Sequence, residues 1–390
     1  MRLLLVADVF PPTRTAGAVQ MHDLAVILAR LGHKCTVLTP DDHIIEPFVL
    51  ECRGGFSLLK IRSAPLKRIN LVRRAVNEML LSARMWSGYR ASPAASEPCD
   101  GVIFYSPSIF FGRFVAKLKS LYRCPAYLIL RDVFPDWAAD LGVMRKGPHY
   151  WLFKAYARYQ YAVADRIGVE SPSNRKYFDP ADRRVEVLNN WIDVDTGPVP
   201  DFPLPDELHG RQILVYAGNM GVAQDMDNLL RLSQHLADRD QVRFLLVGSG
   251  SERPRLEAQA ERLRLGNVVF HPEIEPHQLR GLLRCCHIGL ISLDRRLRSH
   301  NIPGKLLSYL EAGLPVLASV NPGNDIKTIV ERAGAGMVFW NGDDEALANA
   351  VNRMLDEGNE RAHMASAARR LCRSQFSSRA AAEQIIRCFG

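Results

Sequence analysis

Several things are scarce in this 390-residue chain. Its eight cysteines show no metal-ligand spacing: Cys285 and Cys286 are adjacent, and Cys35, Cys52, Cys99, Cys124, Cys372 and Cys388 stand alone. Neither a zinc site nor a disulfide framework is expected, and reduced, buried thiols in a cytoplasmic protein are. No apolar run has the length that spans a bilayer. The opening MRLLLVADVF has one basic residue and a short apolar run, but Asp8 and a proline pair follow, so it reads as a buried first strand rather than a leader. The three-glycine dinucleotide fingerprint is missing after that strand, which excludes the usual nicotinamide or flavin site. No cluster of paired acids calls for a metal.

What is present is ordinary in amount and biased in sign. Hydrophobic residues make up 47% of the chain and charged residues 24%, enough for two domains with separate cores. The formal net charge of +8 points to anionic partners, among them nucleotide phosphates, phospholipid headgroups and nucleic acid.

Strand-length apolar runs alternate with helical patterns along the whole chain. Leu3–Ala7, a helix over Leu24–Leu31 and Cys35–Leu38 form a βαβ unit, with Gly17 where the helix begins and backbone N–H groups can face an anion. Asp100–Tyr105 and Ala126–Leu130 are further strands. The second runs into Arg131 and Asp132, at the strand end where doubly wound folds hold ligands. Ser171 follows the strand Arg166–Val169 and reads as a helix cap. Three prolines between Thr196 and Leu204 mark a linker. The expected domains are 1–196 and 205–371, with a C-terminal helix over about 372–390 returning to the first. Beyond the linker, Ile213–Ala217 leads into Gly218-Asn219-Met220-Gly221, with Gln224 close by, and Phe244–Val247 ends in Gly248-Ser249-Gly250.

The stretch from Asn301 to Ser319, NIPGKLLSYLEAGLPVLAS, organises the second half. Pro303 sets a first helical turn, Gly313 a left-handed stop, and a buried strand follows. At 100° per residue, Leu306, Leu307 and Leu310 share a core side, while Gly304, Ser308 and Glu311 share an open one. A carboxylate such as Glu311 suits a vicinal diol. The helix N-terminus with Lys305 suits a diphosphate. In an arbitrary helix both would more often be solvated surface charges, so neighbouring motifs must decide. From Lys60 to Arg90, basic residues outnumber acids eight to one and are interleaved with apolar and aromatic ones. That pattern reads either as a basic amphipathic helix on an anionic membrane surface or as a helix packed on its own domain.

Together these motifs resemble the retaining glycosyltransferases of family 4. FPP with Gly17, GHKCTVLT, Asp132–Pro135, Asn190–Asp193, YAGNMG, LLVGSGSE, VVFHPEI, LEAGLPVLAS and GAGMVF carry the likeness over nearly the full length. The narrower likeness is to transferases of bacterial O-antigen and related surface polysaccharides, including those that move N-acetylfucosamine. The resemblance implies an α/β fold of two Rossmann-like domains facing each other across a cleft, the GT-B fold. It implies a UDP-sugar donor, a lipid-linked (polyprenyl diphosphate) saccharide acceptor, no cofactor or metal, and no nucleic acid. It places the protein in the cytoplasm, peripheral on the inner face of the cytoplasmic membrane. Gly218, Asn219 and Gly221 would approach the diphosphate, Lys305 would neutralise it, Glu311 would hold the ribose, and Gln224, Gly248 and Ser308 would complete the nucleotide-sugar site. Gly17 would touch diphosphate or sugar from the other domain, with Asp132 and Arg131 lining the reacting sugar.

There are departures from the family pattern. Pro303 stands at the first position of the family's Glu-x7-Glu, Arg131 replaces a common His, and the usual Arg and Lys after the first strand of the second domain are missing. Lys305, Arg295 and Arg298 are the candidates to supply that charge. Two other functions share parts of the pattern. An epimerase or hydrolase acting on a UDP-sugar would use the same donor residues, and a non-enzymatic basic module would use only Lys60–Arg90.

Overall fold

The computed structural model describes residues 1–390 except 14, 67–68, 141–142, 195–196 and 298–301, with backbone only at 71–72, 140 and 276. Lys67, Arg68, Thr196, Arg298 and Asn301, invoked above, therefore lie outside the described residues. The chain forms two compact units: Met1–Trp191 with Ser378–Gly390, and Ile192–Ser377.

The first unit is built on strands β1 (Arg2–Val6), β2 (Lys34–Asp41), β3 (Phe48–Arg53), β4 (Phe56–Arg62), β5 (Gly101–Ser106), β6 (Ala126–Leu130), β7 (Arg166–Val169) and β8 (Val185–Val187). Among the described residues they make an eight-stranded sheet in the order β3-β4-β2-β1-β5-β6-β7-β8. All neighbours are parallel except the β3–β4 pair. Both faces are covered, and the two-residue period of a strand deals its side chains alternately to them. Leu4 and Val6 join one core cluster, and Leu3 and Leu5 the other. The order reverses direction at β1, whose neighbours are β2 and β5. This is the switch point at which the strand ends of such sheets open.

Two expectations change here. The Lys60–Arg90 segment is not one helix: Lys60 and Arg62 close an antiparallel hairpin with β3, and helices Leu71–Met79 and Leu81–Ala91 follow. Lys60 pairs with Glu51 at 2.6 Å, so its charge is already met within the hairpin. The junction between units also falls earlier than the proline-rich stretch. Ile192, Val194, Phe202 and Leu204 pack against the second unit's core, so these residues are lining rather than free linker. The C-terminal helix Ser378–Ile386 places Ala381, Ala382 and Ile385 in the same cluster as Leu3 and Leu5.

The second unit carries β9 (Gln212–Ala217), β10 (Val242–Val247), β11 (Val268–His271), β12 (Ile288–Ser292), β13 (Val316–Val320) and β14 (Gly336–Trp340). They form a parallel sheet in the order β11-β10-β9-β12-β13-β14. Its reversal lies at β9, between β10 and β12, so the loop after β9 leaves from the switch point. The helix Gly304–Ala312 behaves as its sequence pattern requires: Leu306, Leu307 and Leu310 are buried, and Gly313 closes it at φ 74°. Among the described residues no helix is long and apolar enough to cross a membrane.

Candidate functional site

In the second unit the loop after β9 and the loop after β10 are fitted to one another. Gly218 has φ +147° and Gly248 φ +138°, and a Cβ on Gly248 would stand 2.1 Å from the Gly218 carbonyl oxygen. Only glycine fits that crossing. Gly218 N donates to Val247 O at 2.9 Å, and Met220 N to Ser249 O at 2.7 Å. The Gln224 side-chain oxygen accepts from Gly221 N at 3.1 Å and from Asn219 Nδ2 at 3.2 Å. Gly218, Asn219, Gly221, Gln224 and Gly248 thus lie in two loops that pack on each other. Their chemistry differs from expectation, however. The N–H groups of Gly218, Met220 and Gly221 are engaged inside the loops, so the loop offers shape more than donors. Orphan donors belong instead to the first turn of the helix Gly304–Ala312, whose N-cap Pro303 supplies no side-chain cap.

Lys305 in that first turn reaches the loop. Its Cε would lie 3.2 Å from a Cβ on Gly218. Nζ donates to Tyr216 Oη at 2.8 Å and sits 4.0 Å from the centre of the Tyr216 ring. Tyr216 in turn donates to Asn219 O at 2.6 Å, so one tyrosine ties the cation to the loop. Among the described residues no carboxylate pairs with Lys305, and burial alone pushes its pKa down to about 7. A half-buried ammonium held by a phenol and a ring face is poorly compensated, and an arriving anion would restore its charge. Tyr216 was not singled out in the sequence because it reads as an ordinary strand position. Its partner is 89 residues away.

Glu311, expected to hold the ribose, stands apart from this cluster and already has a partner. Six residues separate it from Lys305, about 120° of helix rotation and about 9 Å of rise. Its Oε1 accepts from Arg280 Nε at 3.0 Å and Nη2 at 2.7 Å. With Arg280, Gly313 and Arg369 it lines a separate cavity of ≈ 690 Å³ that Lys305 and Gly218 do not line. Ser308, half-buried and three residues beyond Lys305, remains on the helix's open side. Arg295 lies against Gly342 after β14, where a Cβ on the glycine would stand 3.1 Å from Arg295 Nη1.

The first unit gathers a different set at its strand ends. Gly17 opens the helix Ala16–Arg30 under a Thr15 cap, and a Cβ there would stand 2.5 Å from Tyr105 Oη. Arg131 is buried, 7% exposed, and donates through Nη1 to Leu188 O at 2.6 Å and through Nη2 to Asn189 O at 3.2 Å. Its guanidinium lies 4.8 Å from the centre of the Trp191 ring. Desolvation lowers the Arg131 pKa and raises that of Asp132. Glu170 was not singled out at all, yet it lies beside Arg131 and burial pushes its pKa up to about 7. Ser171 occupies the cap position of a short 3-10 turn, Pro172–Tyr177, but makes no side-chain cap bond. Among the described residues no three His, Cys, Asp or Glu side chains are grouped to hold a metal ion.

Two parallel Rossmann-like units, one with a glycine loop beside an uncompensated cation, define an α/β protein of the GT-B fold class. Comparison with known proteins gives that class its relatives. Residues 211–357 match the family described as Glycosyl transferases group 1, a span inside the second unit. A probable glycosyltransferase of Pseudomonas aeruginosa, WbjE, is 27% identical over 248 residues, covering 59% of this chain and 59% of that protein. A putative colanic acid biosynthesis glycosyl transferase of Escherichia coli, WcaI, is 30% identical over 230 residues, covering 55% of this chain and 56% of that one. The chain thus aligns with less than two thirds of the length of either relative. Among solved structures, sucrose-phosphate synthase of Thermosynechococcus elongatus superposes with a TM-score of 0.66 at 17% identity, over 100% of this chain and 98% of that one. The Anabaena HepE protein in complex with UDP gives 0.67 at 16% identity, over 99% of each. At such identities the likeness shows the fold alone.

Proposed function

We propose that the protein is a glycosyltransferase of surface-polysaccharide assembly, moving a sugar from a UDP-sugar to a lipid-linked saccharide. The observation that carries this reading is Lys305: a half-buried cation without a carboxylate partner among the described residues, set beside the Gly218–Gly248 crossing and at a helix N-terminus. Such a place favours a diphosphate. As the glycosidic bond breaks, negative charge grows on the leaving diphosphate, and Lys305 with the first-turn N–H groups would meet it in a partly water-excluded setting. In this reading the neutralising cation is the lysine, and no metal is required. Ser308, half-buried further along the same helix, would help complete the nucleotide-sugar site. Arg131 and Asp132 belong to the sugar-handling rim of the first unit. Retention of anomeric configuration and an N-acetylated (6-deoxy)hexosamine as the donor sugar follow from the family resemblance. A polyprenyl diphosphate carrier for the acceptor likewise follows from the family resemblance.

The test is a panel of nucleotide sugars screened by thermal shift on the full chain, followed by turnover with and without a glycolipid acceptor. A UDP-sugar should raise Tm, since a ligand that binds the folded state stabilises it by mass action. Turnover without any acceptor would replace transfer with epimerisation or hydrolysis, and absence of UDP binding would remove the reading.

Work on a lipid-linked acceptor calls for contact with an anionic membrane at the inner face, and the first unit has a suitable surface. Trp86, Leu121, Leu152 and Tyr159 line a groove of ≈ 960 Å³ with Arg113 and Lys117. Leu121, Leu152 and Tyr159 are exposed, and Lys117 Nζ lies 5.2 Å from the Trp86 ring centre. Aromatic and aliphatic side chains beside cations suit the headgroup boundary of anionic lipid. Leu152→Glu should lower co-sedimentation with phosphatidylglycerol vesicles several-fold, by apolar loss and charge repulsion. Equal binding to phosphatidylcholine vesicles would contradict the electrostatic part.

A further inference from the structure

The carboxyl end of the first unit's sheet holds more buried polar chemistry than its own residues satisfy. Strand register fixes the neighbours: Ser106 pairs with Leu130 and Leu130 with Val169, so Arg131 and Glu170 leave adjacent strands side by side. Glu170 is 6% exposed, and Oε1 accepts a hydrogen bond from Asn190 Nδ2, just beyond β8. Ser106 Oγ, Ser171 Oγ and Arg131 Nε are all buried without a hydrogen-bond partner. A buried polar group left unmatched costs stability, so three at neighbouring strand ends indicate a place for a polar guest.

The charged and titratable groups facing Glu170 are Arg131 and Asp132 from the end of β6 and Tyr105 from the end of β5. Asp8, beyond β1, faces Tyr105. The set therefore holds three acids to one arginine, with two hydroxyls free to donate or accept. An anion would be repelled there, and a lone cation would meet the arginine. A neutral ligand rich in O–H donors, with an oxygen to accept from Arg131 Nε, matches the set.

We infer that this rim of the first unit is a saccharide-binding notch in which Glu170 receives hydrogen bonds from a vicinal pair of sugar hydroxyls. The inference rests on the glycosyl-transfer reading for its ligand class, but Glu170 is a residue that neither the motifs nor the comparisons assign. The hydroxyls favour the ionised carboxylate, so binding strengthens as pH rises through the region where empty Glu170 titrates, and a proton is released.

The test uses the full chain with methyl glycosides of hexoses and N-acetylhexosamines as probes, followed by saturation-transfer NMR at pH 6 and pH 8, with UDP affinity measured in parallel. The native protein should bind at least one glycoside, about five- to tenfold tighter at pH 8. Glu170→Gln should weaken binding at pH 8 by about tenfold and remove the pH dependence, while UDP affinity stays put. Asp132→Asn, measured alongside, should keep the pH slope, which assigns that slope to Glu170. Should no glycoside bind while UDP does, the notch holds only water and the inference falls with the donor site intact. Should glycosides bind with the stated slope while UDP does not, the notch stands and the transferase reading falls. A Glu170→Gln profile that tracks the native one overturns the role of this residue.

Discussion

The two units carry the same kind of site, a set of side chains and loops at the carboxyl ends of parallel strands, and fill it with opposite charge. In the second unit a cation, Lys305, stands beside glycine loops with no acid paired to it among the described residues. In the first, Asp132 and Glu170 crowd around a single buried arginine. In the proposed reading one topology would serve a phosphate-bearing ligand in one unit and a hydroxyl-bearing one in the other, because the sheet decides only where side chains converge. What converges there is decided by a handful of residues after each strand.

The comparison is broken most severely at the cation. Lys305→Ala should cost about 2–3 kcal/mol in UDP binding, roughly 30- to 150-fold in Kd, because a charge-assisted contact in a half-buried setting is lost. Calorimetric titration checks this, and an unchanged Kd would refute the assignment. The pH dependence sharpens the same point. Burial depresses the Lys305 pKa to about 7, so between about pH 7 and the unfolded value near 10.4 the unfolded chain binds more protons than the folded one. The desolvation cost is fully present below that window and is relieved as pH rises through it. A bound diphosphate reverses the depression. UDP binding at pH 8.5 should therefore take up close to one proton, and near none at pH 6, measurable in buffers of different ionisation enthalpy. The smallest effect is expected at Glu311. Glu311→Gln should leave UDP affinity within about twofold and cost about 1–3 kcal/mol of stability, since Arg280 loses its charged partner in a mostly buried pair. A large loss of UDP affinity would return Glu311 to the donor site.

Much of this was legible without coordinates, and the limits have physical causes. Continuous apolar runs such as Leu3–Ala7 announce strands covered on both faces, and glycines directly after β9 and β10 announce close loop crossings. Helical periodicity, which depends only on local sequence, picks out the buried Leu306, Leu307 and Leu310 of the helix Gly304–Ala312. Periodicity does not say what stands opposite the open side. Arg280 is 31 residues from Glu311, and Tyr216 is 89 from Lys305. The β3–β4 hairpin went unread because Lys60 and Arg62 look like the start of the basic segment that follows. In the fold, Lys60 faces Glu51 across the ladder. Glu170 was passed over because a single acid after a short strand has no pattern of its own. Its setting comes from β6 and from Asn190, both distant in the chain.

The return of Ser378–Ile386 to the first unit bears on how the protein is made. Ala382 and Ile385 are fully buried among residues from the opening strand, so the first unit cannot complete its interior until Ser378–Ile386 has been made and has folded back. Its closing helix follows the whole of the second unit in the chain. Until then an apolar seam on the nascent chain stands open to solvent and to chaperones, and truncation before Ser378 would leave it open for good.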